Sequence, residues 1–311
     1  MTKLAILHPE GHDYQKALQP KFPEVIIHTA EDEPSLGGFA DEMEIILTFR
    51  VSDGLLRKAL RLRWIQSLGT GVDYIVNQPS LRKDILVTST RGIHGPQMSE
   101  MAFLHMLSLA RKFSEQVLNQ TRAVWKAWPA GLLWKKKVGI LGVGVIGEEI
   151  AKKAKAFGMT VYGIDIVKRP TDAVDSFFGP EEILKVASEV DFFILVAPNT
   201  PETTKIVNER TLSAMKPTAF LINIARGELV DEEALMKALE SGTIAGAGLD
   251  AFCREPLPAD HPFWKTKNVL ITPHNGGMSD IYMEQALPIF EENLRRFLKG
   301  ERENLINIVA H

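Results

Sequence analysis

The sequence lacks the features that define several large classes of protein. It has a single cysteine, Cys253, so a disulfide within the chain and a metal site built from several cysteines are both excluded. The eight histidines are scattered, and we expect no metal site. No stretch approaches the ~20 apolar residues that cross a bilayer. The apolar run 4–7 is too short for a secretory signal, so we expect a cytoplasmic protein with no membrane partner.

The sequence also lacks a large net charge. Lys and Arg number 36 and Asp and Glu number 39, which gives a net charge of −3. A near-neutral chain argues against binding the phosphate backbone of nucleic acid, and we expect no nucleic-acid partner. The composition, with 45% hydrophobic and 24% charged residues, excludes a disordered chain, and 311 residues suffice for two globular domains.

Short apolar runs alternate with amphipathic segments along most of the chain. This alternation predicts an α/β fold with two doubly wound units, each a parallel sheet with helices on both faces. The strands of the first unit are predicted at 4–7, 25–27, 45–47, 64–68 and 85–87. Those of the second are predicted at 138–141, 160–164, 192–196, 219–224, 246–249 and 269–271.

Two further helices are predicted outside this alternation. The segment 98–113 is apolar on nearly every face, which predicts a helix buried all round between domains or subunits. The last helix, near 279–299, is expected to return to the first unit. Trp125, Trp128 and Trp134 belong either to a core or to an interface.

The strongest local motif is a glycine-rich turn between a predicted strand and a predicted helix. Gly142, Gly144 and Gly147 form GxGxxG, in which the glycines allow a tight turn, a close approach of a pyrophosphate and close packing of the helix. Asp165 ends the next strand, where it can accept hydrogen bonds from an adenosine ribose. Its charge would repel a 2′-phosphate, which favours NAD over NADP, although the basic pair 168–169 weakens that preference.

Polar residues follow three later strands of the same unit. Arg226 comes after the strand 219–224, Asp250 and Glu255 after 246–249, and His274 after 269–271. Ligands of open α/β sheets bind beyond the carboxyl ends of the strands. An arginine can bind a carboxylate bidentately, and a histidine can exchange a proton near neutral pH. Each residue alone is compatible with an ordinary surface role, but together they predict hydride transfer to a ketone beside a carboxylate.

At this point the chain resembles the family of D-isomer-specific 2-hydroxyacid dehydrogenases, which includes glyoxylate/hydroxypyruvate reductases and phosphoglycerate dehydrogenase. The resemblance lies in the motifs VGILGVGVIG, NIARGELVD, GLDAFCREPLPADHPFW and ITPHNGG. It implies an NAD(H)-dependent oxidoreductase that interconverts a 2-keto acid and a D-2-hydroxy acid. It also implies that Arg226 is the catalytic arginine, that Glu255 is the partner of the catalytic His274, and that Asp250 contacts the nicotinamide.

The resemblance implies further binding residues and a domain division. Residues expected at the cofactor are Gly142, Gly144, Val145, Ile146, Gly147, Asp165, Pro198, Thr203, Ala225 and Asp250. Residues expected at the substrate are Arg50, Leu68, Gly69, Thr70 and Gly71, although Arg50 is also compatible with a solvated loop. Residues 1–98 with 276–311 would form a flavodoxin-like substrate domain and 99–275 a Rossmann NAD-binding domain. A homodimer through the cofactor domain is expected.

Two alternatives remain at this stage. A formate dehydrogenase of the same superfamily has glutamine as the histidine partner, so Glu255 argues against it. An NAD(H)-sensing binding protein of the corepressor type keeps the arginine, glutamate and histidine motifs, and only the near-neutral charge and the lack of a long disordered tail argue against it. Tyr74 and Gly276 depart from the usual family residues and leave the keto acid undetermined.

Overall fold

The strands of the chain gather into two separate sheets. The computed structural model describes residues 1–169 and 171–309. The described strands are β1 (Lys3–Leu7), β2 (Ile26–Ala30), β3 (Ile45–Thr48), β4 (Trp64–Ser67), β5 (Leu86–Thr88), β6 (Lys137–Leu141), β7 (Thr160–Ile164), β8 (Ser176–Phe178), β9 (Phe192–Leu195), β10 (Phe220–Asn223), β11 (Gly246–Leu249), β12 (Val269–Ile271) and β13 (Ile308–Val309).

Helices connect most of these strands. They are α1 (Gly11–Leu18), α2 (Asp53–Lys58), α3 (Asp73–Val76), α4 (Gly95–Arg111), α5 (Phe113–Thr121), α6 (Val145–Ala156), α7 (Ile183–Glu189), α8 (Glu209–Ala214), α9 (Glu232–Glu240) and α10 (Tyr282–Leu298). None of the described helices is long and apolar enough to cross a membrane.

Each sheet belongs to one of two compact units. Unit 1 comprises Met1–Ile93 and Ser279–His311, and unit 2 comprises His94–Met278. Residues 310 and 311, which the sequence assigns to the end of the substrate domain, lie outside the described residues.

The sheet of unit 1 has the strand order β13-β5-β4-β3-β1-β2. Strands β1 to β5 are parallel and have the strand order of flavodoxin-like folds. β13 pairs with β5 in the antiparallel direction and forms one edge of the sheet. α10 covers part of this sheet, since the rings of Phe290 and Phe297 stack on buried Trp64 with centroids 5.4 and 5.2 Å away. Ser52 caps α2, because its hydroxyl accepts a hydrogen bond from the Leu55 N–H.

The sheet of unit 2 has the strand order β12-β11-β10-β9-β6-β7-β8 and is parallel throughout. With β6 as first strand, this is the Rossmann order extended by one strand. The prediction of an α/β fold with two parallel sheets is therefore confirmed. The sequence missed β8 and β13, which have only three and two residues and carry no long apolar run.

The segment 98–113, predicted as a helix buried between domains or subunits, forms most of α4. α4 packs against α6, β10 and β11 and buries Ala102 and Met106 completely. Leu104 and Leu107, however, are exposed on its outer side in the single chain. α4 ends at Arg111 because Lys112 adopts a left-handed conformation with φ of 53°, and α5 begins at Phe113. Apolar composition on every face thus does not mean that every face is covered within one chain.

Candidate active site

The glycine turn between β6 and α6 has the geometry of a phosphate cradle. Gly142 has a φ of 95°, and a Cβ there would lie 2.7 Å from the Ala197 nitrogen. A Cβ on Gly147 would lie 2.1 Å from the Gly142 carbonyl oxygen, so only glycine lets α6 start this close to the strand. Gly144, the residue before α6, has open space at its Cβ position, where the Arg169 guanidinium, 3.9 Å away, is the one group of the described residues within 4 Å. Free N–H groups of the first turn of α6 and a nearby cation therefore face space that a pyrophosphate can fill.

Asp165 follows β7 beside this cradle and binds its backbone. One carboxylate oxygen accepts a hydrogen bond from the Val143 N–H at 2.7 Å, and the other accepts from the Val167 N–H at 3.0 Å. The carboxylate retains lone pairs for ribose hydroxyls, since it can accept about four hydrogen bonds. Asp165 thus supports the turn as well as presenting a negative charge next to it.

Four other residues expected at the cofactor lie on the same edge of the sheet or on α6. Val145 and Ile146 are the first two residues of α6. Pro198 and Thr203 belong to the loop after β9, which the Thr203 hydroxyl closes by donating to the Pro198 carbonyl at 2.7 Å. The Thr200 N–H donates to the same hydroxyl at 2.7 Å. Since all these strands are parallel, their carboxyl ends place the loops together.

Arg226 is presented by a short turn after β10. The buried side chain of Asn223 shapes this turn, because it accepts from the Ala225 N–H at 3.1 Å and donates to the Arg226 carbonyl at 2.8 Å. The Arg226 guanidinium donates to the Ala225 carbonyl at 2.8 Å. A Cβ on Gly227 would lie 2.0 Å from the Phe252 carbonyl carbon, so this turn packs directly on the loop that leads to Glu255.

His274 and Glu255 form a direct pair. The His274 Nδ1 lies 2.7 Å from a carboxylate oxygen of Glu255, and that oxygen also accepts from the Phe252 N–H at 3.1 Å. His274 has a φ of 52°, a left-handed conformation that few residue types adopt without external support. Because Nδ1 is held by the carboxylate, Nε2 is the nitrogen available for proton exchange.

Asp250 is almost completely buried, with 1% of its surface exposed. Its carboxylate accepts hydrogen bonds from the Thr272 hydroxyl at 2.5 Å, the Asn275 N–H at 3.2 Å and the Gly276 N–H at 3.0 Å. A Cβ on Gly276 would lie 2.8 Å from this carboxylate, which gives a physical reason for the glycine at a position where the sequence departs from the family. Asp250 therefore holds the turn that follows His274.

The residues expected at the substrate lie in unit 1, at the carboxyl ends of β3 and β4. Leu68 is buried directly after β4, and its carbonyl accepts from the hydroxyls of Thr90 and Tyr282. A Cβ on Gly69 would lie 3.2 Å from the Gly71 carbonyl oxygen, so the loop that contains Thr70 is tightly folded. Arg50 follows β3, and its guanidinium lies over the Tyr74 ring, 4.1 Å from the centroid.

The structure thus brings Arg226, Glu255, Asp250 and His274 to one edge of the unit 2 sheet, beside the glycine turn. Sequence reasoning missed Asn223, Thr272 and His105. His105 is fully buried on α4, and its Nε2 lies 3.0 Å from the Thr272 hydroxyl. The signal available for it was a histidine within the otherwise apolar stretch 101–107 of α4. In the described part of the chain, no group of three or more His, Cys, Asp or Glu side chains is placed to hold a metal ion.

Comparison with known proteins identifies the class to which this fold and site belong. The pattern of the family described as "D-isomer specific 2-hydroxyacid dehydrogenase, NAD binding domain" matches residues 103–276. A glyoxylate reductase from Korarchaeum cryptofilum is 34% identical over 304 residues, which cover 95% of this chain and 89% of that protein. The chain belongs to the D-isomer-specific 2-hydroxyacid dehydrogenase family and is an NAD(P)-dependent oxidoreductase of that class.

Solved structures of similar proteins agree in fold and differ in cofactor. A family protein from Aeromonas salmonicida is 33% identical with a TM-score of 0.90, covering 99% of this chain and 98% of that one. A family enzyme from Xanthobacter autotrophicus, 30% identical with a TM-score of 0.85 over 99% and 98% of the two chains, was solved with NADPH and MES. A D-lactate dehydrogenase from Aquifex aeolicus, 26% identical with a TM-score of 0.85 over 100% and 99%, was solved with NAD and lactic acid.

Proposed function

We propose that this protein is an NADH-dependent reductase of a 2-keto acid, which it converts reversibly into the D-2-hydroxy acid. The observation that carries the proposal is the pair of His274 Nδ1 and Glu255 at 2.7 Å on the edge of the sheet that also holds the glycine turn. A carbonyl reduction needs a proton donor at the oxygen, and this pair supplies one. A formate dehydrogenase would not need it, because formate oxidation involves no hydroxyl proton.

The residues of unit 2 divide the work of the reaction. A nicotinamide held by this unit would supply or receive the hydride. Arg226 binds the substrate carboxylate and polarises the keto oxygen, since a guanidinium offers two parallel donors to one carboxylate. His274 donates a proton from Nε2 to the carbonyl oxygen during reduction and removes it during oxidation. Glu255 orients the imidazole through Nδ1, and Asp250 would accept a hydrogen bond from the carboxamide of a bound nicotinamide.

The two units take separate roles in this proposal. Unit 2, with the glycine turn and the catalytic residues, is the cofactor domain. Unit 1 is the substrate domain, in which the backbone of Leu68, Gly69, Thr70 and Gly71 binds the substrate carboxylate and Arg50 faces the substrate side chain. The tight approach of Gly69 and Gly71 supports this role, because closely spaced glycines let backbone N–H groups approach an anion.

The residues of the cradle fit a dinucleotide and favour NADH over NADPH. The open space at the Gly144 Cβ position fits a pyrophosphate, with Arg169 beside it. Asp165 is within the loop that a ribose would reach, and its negative charge disfavours a 2′-phosphate. The bonds from the Val143 and Val167 N–H groups keep this carboxylate beside the turn.

We also propose a homodimer through an apolar surface of unit 2. Residues of α4, α5 and the segment after them expose large apolar side chains to solvent; these residues, the α4–α5 surface, are Leu104, Leu107, Phe113, Val117, Leu118, Val124, Trp125, Leu132 and Trp134. Trp125 is 100% exposed in the single chain, whereas Trp128 is half-buried. An apolar surface of this extent is typical of a protein interface.

The experiment that tests the proposed function is the oxidation of NADH and of NADPH against a panel of 2-keto acids. The panel runs from glyoxylate and hydroxypyruvate through pyruvate to branched and aromatic acids. We expect turnover with NADH for at least one acid, and the best substrate reports the size of the pocket. Tight NADH binding without turnover of any acid would contradict the proposal and favour an NAD(H)-sensing binding protein.

Replacement of the histidine tests its role directly. We expect His274→Ala to lower kcat by ~10²–10⁴-fold, because the general acid is lost, while the Kd for NADH changes little. Steady-state kinetics and a fluorescence titration with NADH measure the two quantities. Turnover by the variant equal to that of the wild type would rule out His274 as the acid.

A further inference from the structure

The turn that carries His274 is connected to a buried histidine on another element. The Asp250 carboxylate accepts from the Thr272 hydroxyl at 2.5 Å, and the His105 Nε2 lies 3.0 Å from that same hydroxyl. Asp250 also accepts from the N–H groups of Asn275 and Gly276, the two residues that follow His274. A continuous chain of hydrogen bonds therefore runs from His105 on α4 to the backbone of Asn275 and Gly276, directly after His274.

The chemistry of the groups in this chain of hydrogen bonds determines which group donates each one. A carboxylate accepts, so the single proton of the Thr272 hydroxyl goes to Asp250. The hydroxyl oxygen can then only accept from His105, which must carry its proton on Nε2. Burial lowers the pKa of His105 to about 4, so its imidazole is neutral near pH 7 and has one N–H to donate. The His105 Nδ1 has no hydrogen-bond partner among the described residues, which agrees with an unprotonated nitrogen there.

Two glycines make room for this arrangement. A Cβ on Gly248 of β11 would lie 2.3 Å from the His105 Nδ1, so the strand admits the imidazole only because the side chain is absent. A Cβ on Gly276 would lie 2.8 Å from the Asp250 carboxylate and 3.0 Å from Met101 of α4. The backbone at Gly248 thus leaves room for the His105 ring, and the backbone at Gly276 leaves room for the Asp250 carboxylate. An incidental contact would not require a glycine at both places.

We propose that His105 and Thr272 are positioning residues that hold the Asp250 carboxylate and, through it, the left-handed turn at His274. This inference rests on the proposed function, because its purpose is to place the imidazole that donates the proton. His274 has a φ of 52°, and a residue in that conformation stays there only when its surroundings hold it. Small errors in the position of a catalytic group cost large factors in rate.

The test uses two variants of Thr272, one that lacks the side-chain hydroxyl and one that keeps it. Thr272→Val keeps the shape of the side chain and removes the hydrogen bonds to both His105 and Asp250, whereas Thr272→Ser keeps the hydroxyl. We expect Thr272→Val to lower kcat about tenfold or more with little change in the Kd for NADH, and Thr272→Ser to recover most of that loss. Equal losses in both variants, or wild-type kcat in Thr272→Val, would overturn the inference.

A double-mutant cycle tests whether His105 acts through Thr272. His105→Leu should lower kcat as Thr272→Val does, and the double variant should be no slower than the slower single one, because both changes break the same chain. Losses in kcat that multiply would overturn this link. His105→Gln, which keeps a side-chain N–H, serves where the leucine variant does not fold.

A spectroscopic measurement separates this inference from the proposed function. In protein labelled with ¹⁵N-histidine, the two ring nitrogens of His105 should give the pattern of the Nε2–H tautomer. The ring resonances of His274 should shift in Thr272→Val and return in Thr272→Ser. An Nδ1–H tautomer, or His274 resonances unmoved by Thr272→Val, would overturn the inference even in a protein that turns over no keto acid. A wild type without turnover whose resonances behave as expected would instead contradict only the proposed function.

Discussion

At the scale of single residues, Asp165 provides a prediction about cofactor choice. The site could be predicted at this scale where sequence order alone carries the information. Arg226, Glu255 and His274 follow apolar strands, and parallel strands end at the same edge, so their convergence was predictable. The role of Asp165 in binding the Val143 and Val167 N–H groups was not, because it depends on the path of the loop. His105 lies far from Thr272 and Asp250 along the chain, and only the packing of α4 on β11 reveals their contact.

The prediction for Asp165 concerns its charge. Asp165→Asn keeps an acceptor oxygen for the turn and removes the negative charge. We expect the ratio of kcat/KM for NADPH to that for NADH to rise about tenfold, as for the loss of one charged hydrogen bond to the ribose. Arg169→Ala is the matched change of the opposite charge and should lower the use of NADPH. An unchanged ratio in Asp165→Asn would show that this carboxylate does not select the cofactor.

At the scale of helices and strands, the sequence predicted those elements whose apolar pattern is longest. Of the core strands, β9 is apolar throughout, and β1, β3 and β6 each have one polar residue, at an end of the strand. A buried parallel strand needs little else to be recognised. The edge strands β8 and β13 were missed because they are short and only partly buried. α4 was predicted to be buried between domains or subunits, and composition alone does not distinguish a core from an interface.

The α4–α5 surface provides a prediction about assembly. We expect the wild type to sediment as a dimer of 34.6 kDa chains. Trp125→Glu should shift the equilibrium toward the monomer by about 2 kcal/mol or more, because a charge replaces a large apolar contact. Leu60→Glu is the matched control, since Leu60 is 75% exposed in unit 1, away from this surface in the sequence. A wild-type monomer at micromolar concentration, or equal dimerisation of Trp125→Glu, would contradict the proposal.

At the scale of the whole molecule, two buried histidines give the fold a dependence on pH. Burial lowers the pKa of both His94 and His105 to about 4, from about 6.5 in an unfolded chain, although the Asp250 charge opposes the shift at His105. At pH values well above 6.5, both histidines are neutral in the folded and in the unfolded state, and the folded state has its full stability. As the pH falls from about 6.5 to 4, only the unfolded state gains these protons, so stability is lost at about 1.4 kcal/mol per pH unit for each histidine.

Urea unfolding at pH 7.5 and at pH 4.5 measures this loss. We expect a lower midpoint at pH 4.5 and a smaller difference between the two pH values in His94→Gln, which has no titrating ring. His12→Gln removes an exposed histidine of α1 and serves as the control. A pH difference unaltered by His94→Gln would mean that other groups account for the acid sensitivity.

The interrupted path of the chain through unit 1 has a consequence for biosynthesis. Unit 2 is one continuous stretch, His94–Met278, so it can fold on the ribosome as soon as it has emerged. Unit 1 has all its parallel strands by then but still lacks α10, whose Phe290 and Phe297 cover Trp64. Unit 1 therefore begins to emerge before unit 2 during synthesis but is completed after it. In that interval a nascent apolar sheet surface is exposed to chaperones, and α10 closes it once it has been translated.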